Sequence, residues 1–167
     1  MTVLFADVRD FTAISQKLAP ALLAEKIASF QGLAAEVVSR NHGTVDKFAG
    51  DAVMATFNLG GERLDHADAA LKAALALREQ SGRLGLGVGI GIATGPAIVG
   101  RLSMGANLSV LGNATNLASR LQAQAAAGEV LVSEEAWRHL REPFVAQPER
   151  LALKGFDQPV TAYRLRG

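Results

Sequence analysis

The segment TVDKFAGDAVMATF (residues 44–57) is the clearest structural signal in the chain, because it has the pattern of two short strands with the tripeptide AGD at their turn. Such a hairpin places Asp51 at its tip. The segment FADVRDFT (residues 5–12) carries a second carboxylate, Asp7, near the C-terminal end of a predicted strand. If the two segments are neighbouring strands, both carboxylates can converge on a hard divalent cation, which prefers oxygen ligands. This arrangement, with Lys47 on the same hairpin, indicates metal-assisted phosphate chemistry.

Length and composition indicate one ordinary domain. The chain has 167 residues, of which 49% are hydrophobic, so that residues 1–167 can form a single packed core. The abrupt start and end would also suit a module excised from a longer, regulated protein. With 17 basic and 16 acidic residues, the chain has no broad basic field that would attract a nucleic acid or an anionic membrane.

Features that the sequence lacks exclude several classes of protein. Without cysteine there is no disulfide, thiolate metal site or cysteine nucleophile, and because this suits a reducing compartment we expect a cytoplasmic location. The N-terminus does not resemble a signal peptide, and glycines and Pro96 interrupt the longest uncharged run, so we expect no transmembrane segment. The motifs GxGxxG, GK[ST], GxSxG and HExxH are missing, which argues against dinucleotide folds, Walker-type phosphate loops, serine hydrolases and zinc proteases.

Helical and strand patterns alternate along the rest of the chain. Apolar residues at helical spacing predict helices at about 21–40, 65–80, 113–125 and 134–140. Short apolar runs predict strands at about 3–8, 85–92, 107–111, 130–132 and 160–165. Together with the hairpin, this order predicts an α+β fold, an α/β sandwich whose sheet is not all parallel.

The predicted strand at 85–92 alternates strictly between apolar residues on one face and glycines on the other. A strand with a bare face allows another group to approach its backbone closely. The approaching group can be a helix, a second subunit or a ligand, and the pattern alone leaves these alternatives open.

Four polar residues are candidates for ligand contacts. Lys47 is a pure donor that can address a ring nitrogen or a phosphate oxygen, or it can be a solvated strand residue. Asn116 and Arg120 lie four residues apart on a predicted helix, so they share a face and can address one ligand, although an exposed helix surface would explain them equally well. The hydroxyl of Ser109 can satisfy backbone groups or accept from an amino group.

Three segments together identify a family. FADVRDFT, DKFAGDAVMATF and LSVLGNATNLASRL, in this order and spacing, resemble the catalytic domain of class III nucleotidyl cyclases, the adenylate and guanylate cyclases. The resemblance runs over residues 3–165. It implies a ferredoxin-like core with a central, mostly antiparallel sheet, which works as a head-to-tail homodimer with active sites at the subunit interface.

The resemblance also implies a role for each motif residue. Asp7 and Asp51 resemble the two metal-binding aspartates, with the backbone carbonyl of Val8 as a further ligand for Mg²⁺ or Mn²⁺, two ions per site. Asn116 and Arg120 match the pair that stabilises the transition state.

Two positions of the family select the purine. Lys47 matches the lysine that recognises adenine, and Ser109 occupies the place of an Asp or Thr that is common in adenylate cyclases. Guanylate cyclases typically have Glu and Cys at these positions, and this chain has neither. The resemblance therefore implies an adenylate cyclase that converts ATP to 3′,5′-cyclic AMP and pyrophosphate. The alternatives are a degenerate domain that binds nucleotide without turnover, and a cyclase with guanylate or relaxed purine specificity.

The sequence departs from the family pattern in two places. Asp10 replaces the glycine of the usual GFT and adds a negative charge near the expected metal site. Relatives often carry an arginine shortly before the position of Ser109, which this chain lacks. Lys154 or Arg101 would then bind the triphosphate.

Overall fold

The computed structural model describes the backbone of residues 1–101 and 108–167 and the side chains outside 101–111. The strands are β1 (Thr2–Val8), β2 (Gly43–Ala49), β3 (Ala52–Phe57), β4 (Val88–Thr94), β5 (Ile98–Arg101), β6 (Leu108–Leu111), β7 (Glu129–Ser133), β8 (Pro148–Leu151) and β9 (Val160–Arg166). The helices are α1 (Phe11–Lys17), α2 (Pro20–Arg40), α3 (His66–Arg83), α4 (Asn113–Gln124) and α5 (Glu134–Arg138).

Seven of these strands form the central sheet, in the order β2-β3-β1-β4-β7-β9-β8, and β5 and β6 pair as a separate antiparallel ribbon. Within the seven-stranded sheet only β4 and β7 run parallel; the other neighbours are antiparallel. The predicted α+β class with a mostly antiparallel sheet is confirmed. Within the described ranges, no helix combines the length and the apolar character needed to cross a membrane.

The alternation of side chains along β1 divides the core into two sides. Leu4, Ala6 and Val8 are buried in the larger cluster, which includes residues of α2, α3 and α5. Val3 and Phe5 point to the opposite face and pack with α4. Helices therefore cover both faces of the sheet, and the odd-numbered residues of β1 lie on the α4 face.

The bare face of β4 is covered by α4. A Cβ atom at Gly91 would lie 2.1 Å from the carbonyl oxygen of Ala118, and one at Gly89 would lie 2.6 Å from that of Ala125. No side chain fits in that space, so of the alternatives for the glycine strand the packed helix is confirmed. The strand begins only at Val88, because Gly85 has a φ of +74° and the chain is still turning there.

The hairpin at 44–57 is confirmed as β2 and β3, and Gly50 turns the chain with a φ of 59°. The structure adds α1, β5 and β8 to the predicted elements. Short elements with weak patterns, such as the four residues PERL of β8, carry little sequence signal.

Candidate functional site

Hairpin geometry brings Asp7 and Asp51 together at one end of the sheet. Asp7 lies opposite Ala52 in the β1–β3 register, and the backbone N–H of Val8 donates to the carbonyl oxygen of Asp51 at 3.1 Å. This bond holds the β2–β3 turn against the end of β1. The structure therefore places all three predicted metal-site residues in one location.

Burial and the neighbouring Asp51 both perturb the carboxyl group of Asp7. Burial raises the pKa of Asp7 to about 6, and a hydrogen bond and the like charge of Asp51 act in the same direction, while Arg9 and Gln122 act against it. Its Oδ1 atom is buried and has no hydrogen-bond partner. A cation between the carboxylates would offset their repulsion and would provide a partner for the buried Oδ1 atom of Asp7.

The donor set fits a hard divalent cation. Across the described residues, no group of three or more His, Cys, Asp or Glu side chains could hold a metal ion. The side-chain ligands available at this end of the sheet are therefore the two carboxylates of Asp7 and Asp51. Magnesium commonly binds through one or two carboxylates and completes its shell with water and substrate phosphates. Asp7 and Asp51 match that requirement.

Arg9 connects this carboxylate pair to α4, and no sequence motif singles it out. Its Nη1 atom lies 3.6 Å from Oδ2 of Asp7, its Nε donates to the carbonyl oxygen of Ala125 at 2.8 Å, and its Nη2 donates to that of Gln122. The only local signal is the two-residue spacing from Asp7, which directs both side chains to the same face of the sheet although β1 itself ends at Val8. The helix partners are more than 100 residues away in sequence.

Lys47 lies on the same face of the sheet as α4. After a bulge at Asp46 it pairs with Met54, which packs with Ala114 and Ala118 of the helix. Its side chain is 66% exposed, and Nζ lies 3.6 Å from Oδ2 of Asp46. The ammonium group is therefore accessible to a ligand or a second chain.

Asn116 and Arg120 are exposed on one face of α4, while Ala114, Ala118 and Leu121 are buried on the other. The predicted shared face is confirmed. Among the described contacts, neither residue touches the two carboxylates. One chain thus presents the candidate metal pair and the candidate transition-state pair as separate groups.

The remaining candidates lie at the margins of the described structure. The backbone of Ser109 pairs with Gly100 in the β5–β6 ribbon, whereas its side chain and that of Arg101 lie outside the described residues. Lys154 is exposed, next to Leu153, which is buried in one cluster with residues of α4. This places the lysine beside the C-terminal half of that helix.

The chain is similar in sequence and in fold to known proteins. An uncharacterised protein of Mycobacterium tuberculosis, Rv2212, is 36% identical over 163 residues, which cover 96% of this chain and 40% of the relative. The chain thus spans well under half the length of that relative. The crystal structure of the adenylyl cyclase CyaB from P. aeruginosa superposes with a TM-score of 0.88 at 30% identity, covering 98% of this chain and 91% of the other.

Guanylate cyclases share the fold as well. The guanylate cyclase domain of RhGC from Catenaria anguillulae, in complex with GTP, has a TM-score of 0.89 at 24% identity and covers 98% of this chain and 93% of the other. The family described as "Adenylate and Guanylate cyclase catalytic domain" matches residues 1–167. On the evidence of this full-length match and of the fold, the chain belongs to the adenylate and guanylate cyclase catalytic domain family.

Proposed function

We propose that this chain is an adenylate cyclase that converts ATP to 3′,5′-cyclic AMP and pyrophosphate. The observation that carries the proposal is the Asp7–Asp51 pair, in which a buried carboxylate oxygen has no partner. A pair of this kind suits a cation that binds phosphates. The choice of ATP over GTP rests on Lys47 and Ser109, and it is supported by the 30% identity to the adenylyl cyclase CyaB.

Asp7, Asp51 and the backbone carbonyl of Val8 would hold Mg²⁺ or Mn²⁺, with two ions per site. When bound, such ions acidify the ribose 3′-hydroxyl and neutralise the triphosphate. Among the basic residues, exposed Lys154 would hold the triphosphate in place of the arginine that the chain lacks.

Four polar residues would supply the remaining steps of the reaction. Arg120 would donate to the α-phosphate as the 3′-oxygen attacks phosphorus and pyrophosphate leaves, because a planar guanidinium suits the charge that develops on phosphate oxygens. Asn116 would orient the ribose. Lys47 would donate to a ring nitrogen of adenine, and the Ser109 hydroxyl would accept from its amino group.

The proposed catalytic unit is a head-to-tail homodimer. Lys47, Asn116 and Arg120 are exposed and make no described contact with the carboxylate pair of their own chain. In such a dimer each active site takes its carboxylates from one subunit and its exposed groups from the other. Relatives longer than this chain leave room for attached regulatory domains.

The direct test is an assay of purified protein with Mg²⁺ or Mn²⁺ and either ATP or GTP. We expect cyclic AMP from ATP, and loss of this product in Asp51→Ala but not in the exposed control Asp157→Ala. Cyclic GMP as the main product would favour guanylate cyclase activity. Nucleotide binding without any cyclic product would leave a degenerate binding domain.

Mixing inactive variants tests the shared sites. Asp51→Ala and Arg120→Ala are each expected to be inactive, whereas their heterodimer contains one site with all its groups intact. We expect the mixture to regain activity, to at most about half of the wild-type rate per dimer, since one of two sites is restored. No recovery, despite heterodimers being formed, would contradict sites built from two chains.

A further inference from the structure

We propose that Arg9 and Gln122 are positioning residues that tie the metal-site carboxylate Asp7 to the C-terminal end of α4 in the same subunit, and so couple the two active sites of the dimer. This inference rests on the proposed function. It concerns residues outside the motif positions that the family resemblance assigns. We call Asp7, Arg9, Gln122 and Ala125 the Arg9 junction.

The position of Arg9 is built into the sheet. Its side chain crosses β4 at Gly89, where a Cβ atom would lie 2.3 Å from Nη2 and 2.6 Å from Nε. Glycine at this position leaves the space that the guanidinium occupies. The Arg9 side chain is only 22% exposed, so its planar group is confined between the strand and the helix.

Guanidinium donors reach the end of α4. Nε donates to Ala125, the residue after the last helical one, and Nη2 donates to the carbonyl of Gln122. Carbonyl groups in the last turn of a helix lack the usual donor four residues ahead and carry partial negative charge, so a cation is favoured there. The Gln122 carbonyl also accepts from the backbone N–H of Ala125 at 3.1 Å. Arg9 thus caps α4 and, with the remaining nitrogen Nη1, stays 3.6 Å from Asp7.

The side chain of Gln122 on α4 holds the same guanidinium. With its amide oriented to satisfy its neighbours, Oε1 accepts from Nη1 and Nη2 of Arg9 at 3.0 and 2.6 Å. Movement of α4 is therefore transmitted to Asp7 through the Arg9 guanidinium, which Gln122 holds, rather than by apolar packing alone.

The junction connects groups that serve different active sites. In the proposed head-to-tail dimer, Asp7 of one subunit holds metal in the first site, while Asn116 and Arg120 on α4 of that subunit act in the second. A displacement of α4 when substrate binds in the second site would shift Asp7 in the first. The Arg9 side chain of each subunit therefore influences both active sites of the dimer.

Placement of a single substitution in the reconstituted heterodimer tests this coupling. The intact site takes its carboxylates from the Arg120→Ala chain and its α4 from the Asp51→Ala chain. Arg9→Lys, which keeps the charge but cannot bridge the three acceptors, is added to either chain in turn. We expect the rate to fall about 10- to 100-fold in both placements, as for other residues that orient metal ligands.

The matched control is Arg83→Lys in either chain, since Arg83 is 71% exposed and pairs only with Glu79 on its own helix among the described contacts. It should leave the rate unchanged. A loss from one placement of Arg9→Lys alone would confine Arg9 to one half-site and overturn the coupling, and no loss from either would overturn the whole proposal.

A second measurement does not require turnover. Binding of Mn²⁺ to the otherwise wild-type chain, followed by electron paramagnetic resonance, should weaken about tenfold in Arg9→Lys and in Gln122→Met, because the first removes the guanidinium beside Asp7 and the second removes the amide that holds this guanidinium. Gln122→Met keeps the helix and its backbone carbonyl, and it serves if Arg9→Lys fails to fold. If the wild-type chain binds Mn²⁺ but forms no cyclic nucleotide, the proposed function is refuted, while the effect of the two variants on Mn²⁺ binding can still be measured. Unchanged Mn²⁺ binding in both variants would overturn the role of the Arg9 junction.

Discussion

Asp7 is a charged residue at a strand position where an apolar side chain would suit the core. Its carboxylate is half-buried, faces Asp51 and has one oxygen without a partner. An ionised carboxylate in this environment destabilises the metal-free protein, because desolvation and like charge both disfavour it. Its ionised form therefore costs stability, which fits the proposed role of Asp7 in metal binding.

We expect Asp7→Asn to stabilise the metal-free protein and to abolish activity. Burial and the neighbouring Asp51 raise the pKa of the Asp7 carboxyl from its ordinary value of 3.8 to about 6 in the folded state. A raised carboxyl pKa means that wild-type protein loses stability as the pH rises from about 4 to 6, and the amide does not titrate. The advantage of the variant should therefore develop over this range and persist above it.

Urea unfolding of both proteins in the presence of a chelator, at several pH values between 4 and 8, measures this difference. Added Mn²⁺ should stabilise the wild type but not the variant, which provides the control. Equal stability of the two proteins at pH 7.5 without metal would contradict the expected cost of the ionised carboxylate.

The backbone conformation of Asp10 explains why this residue can replace the glycine of the family pattern. It has a φ of 57°, in the left-handed region, and its side chain makes no capping bond to α1. Glycine adopts this conformation without steric cost, whereas other residues are strained there and Asp is among the better tolerated. The usual GFT and the DFT of this chain thus serve the same turn.

Substitutions at Asp10 should rank by tolerance of positive φ. We expect Asp10→Gly to raise the free energy of unfolding by up to about 1 kcal/mol and Asp10→Ala to lower it by a similar amount. Chemical denaturation measures both. Alanine as stable as glycine at this position would show that the backbone does not keep its left-handed conformation.

The contact between α4 and β4 determines where the helix can lie. Two glycines remove the side chains that would separate the backbones, so that α4 approaches the strand at Gly89 and Gly91. Such close packing also holds the exposed face of the helix, with Asn116 and Arg120, at a defined height above the sheet. Helix position and site geometry are therefore linked.

Gly91→Ala should destabilise the protein by about 1–3 kcal/mol, because the new methyl group would lie 2.1 Å from a helix carbonyl and force the elements apart. The matched control is Gly82→Ala near the end of α3, where a Cβ atom would meet nothing within 4 Å. That substitution should stabilise by about 0.5–1 kcal/mol through helix propensity. Thermal unfolding measures the stability change of both variants. Similar changes in the two variants would contradict the close packing of α4 on β4.

The molecule as a whole presents apolar surface that one chain leaves uncovered. Ile98 and Val99 of β5 are 73% and 36% exposed, and Phe48 of β2 is 38% exposed. This arrangement is compatible with the proposed partner subunit.

Specific activity should therefore depend on protein concentration. If each site needs two chains, dilution below the dissociation constant of the dimer removes active sites, and activity per chain falls in proportion to the dimer fraction. Parallel sedimentation velocity experiments give that fraction. Constant specific activity across a dilution series in which the dimer dissociates would show that one chain suffices.

Local features could be predicted from the sequence because they depend on neighbouring residues. Turn chemistry at Gly50 placed Asp51 at the hairpin tip, and helical spacing put Asn116 and Arg120 on one face. Alternation of glycine in β4 indicated a close approach but not the group that approaches. The roles of Lys47 and Ser109 stay predictions from the family resemblance.

Tertiary structure was needed wherever the decisive partner is distant in the chain. The guanidinium of Arg9 reaches carbonyls 113 and 116 residues away, and no sequence period relates them. Its contacts follow from the register of β1 against β4 and from the helix that crosses the glycine face. Local pattern specifies which way a side chain points, whereas the packing of sheet and helix specifies what it meets.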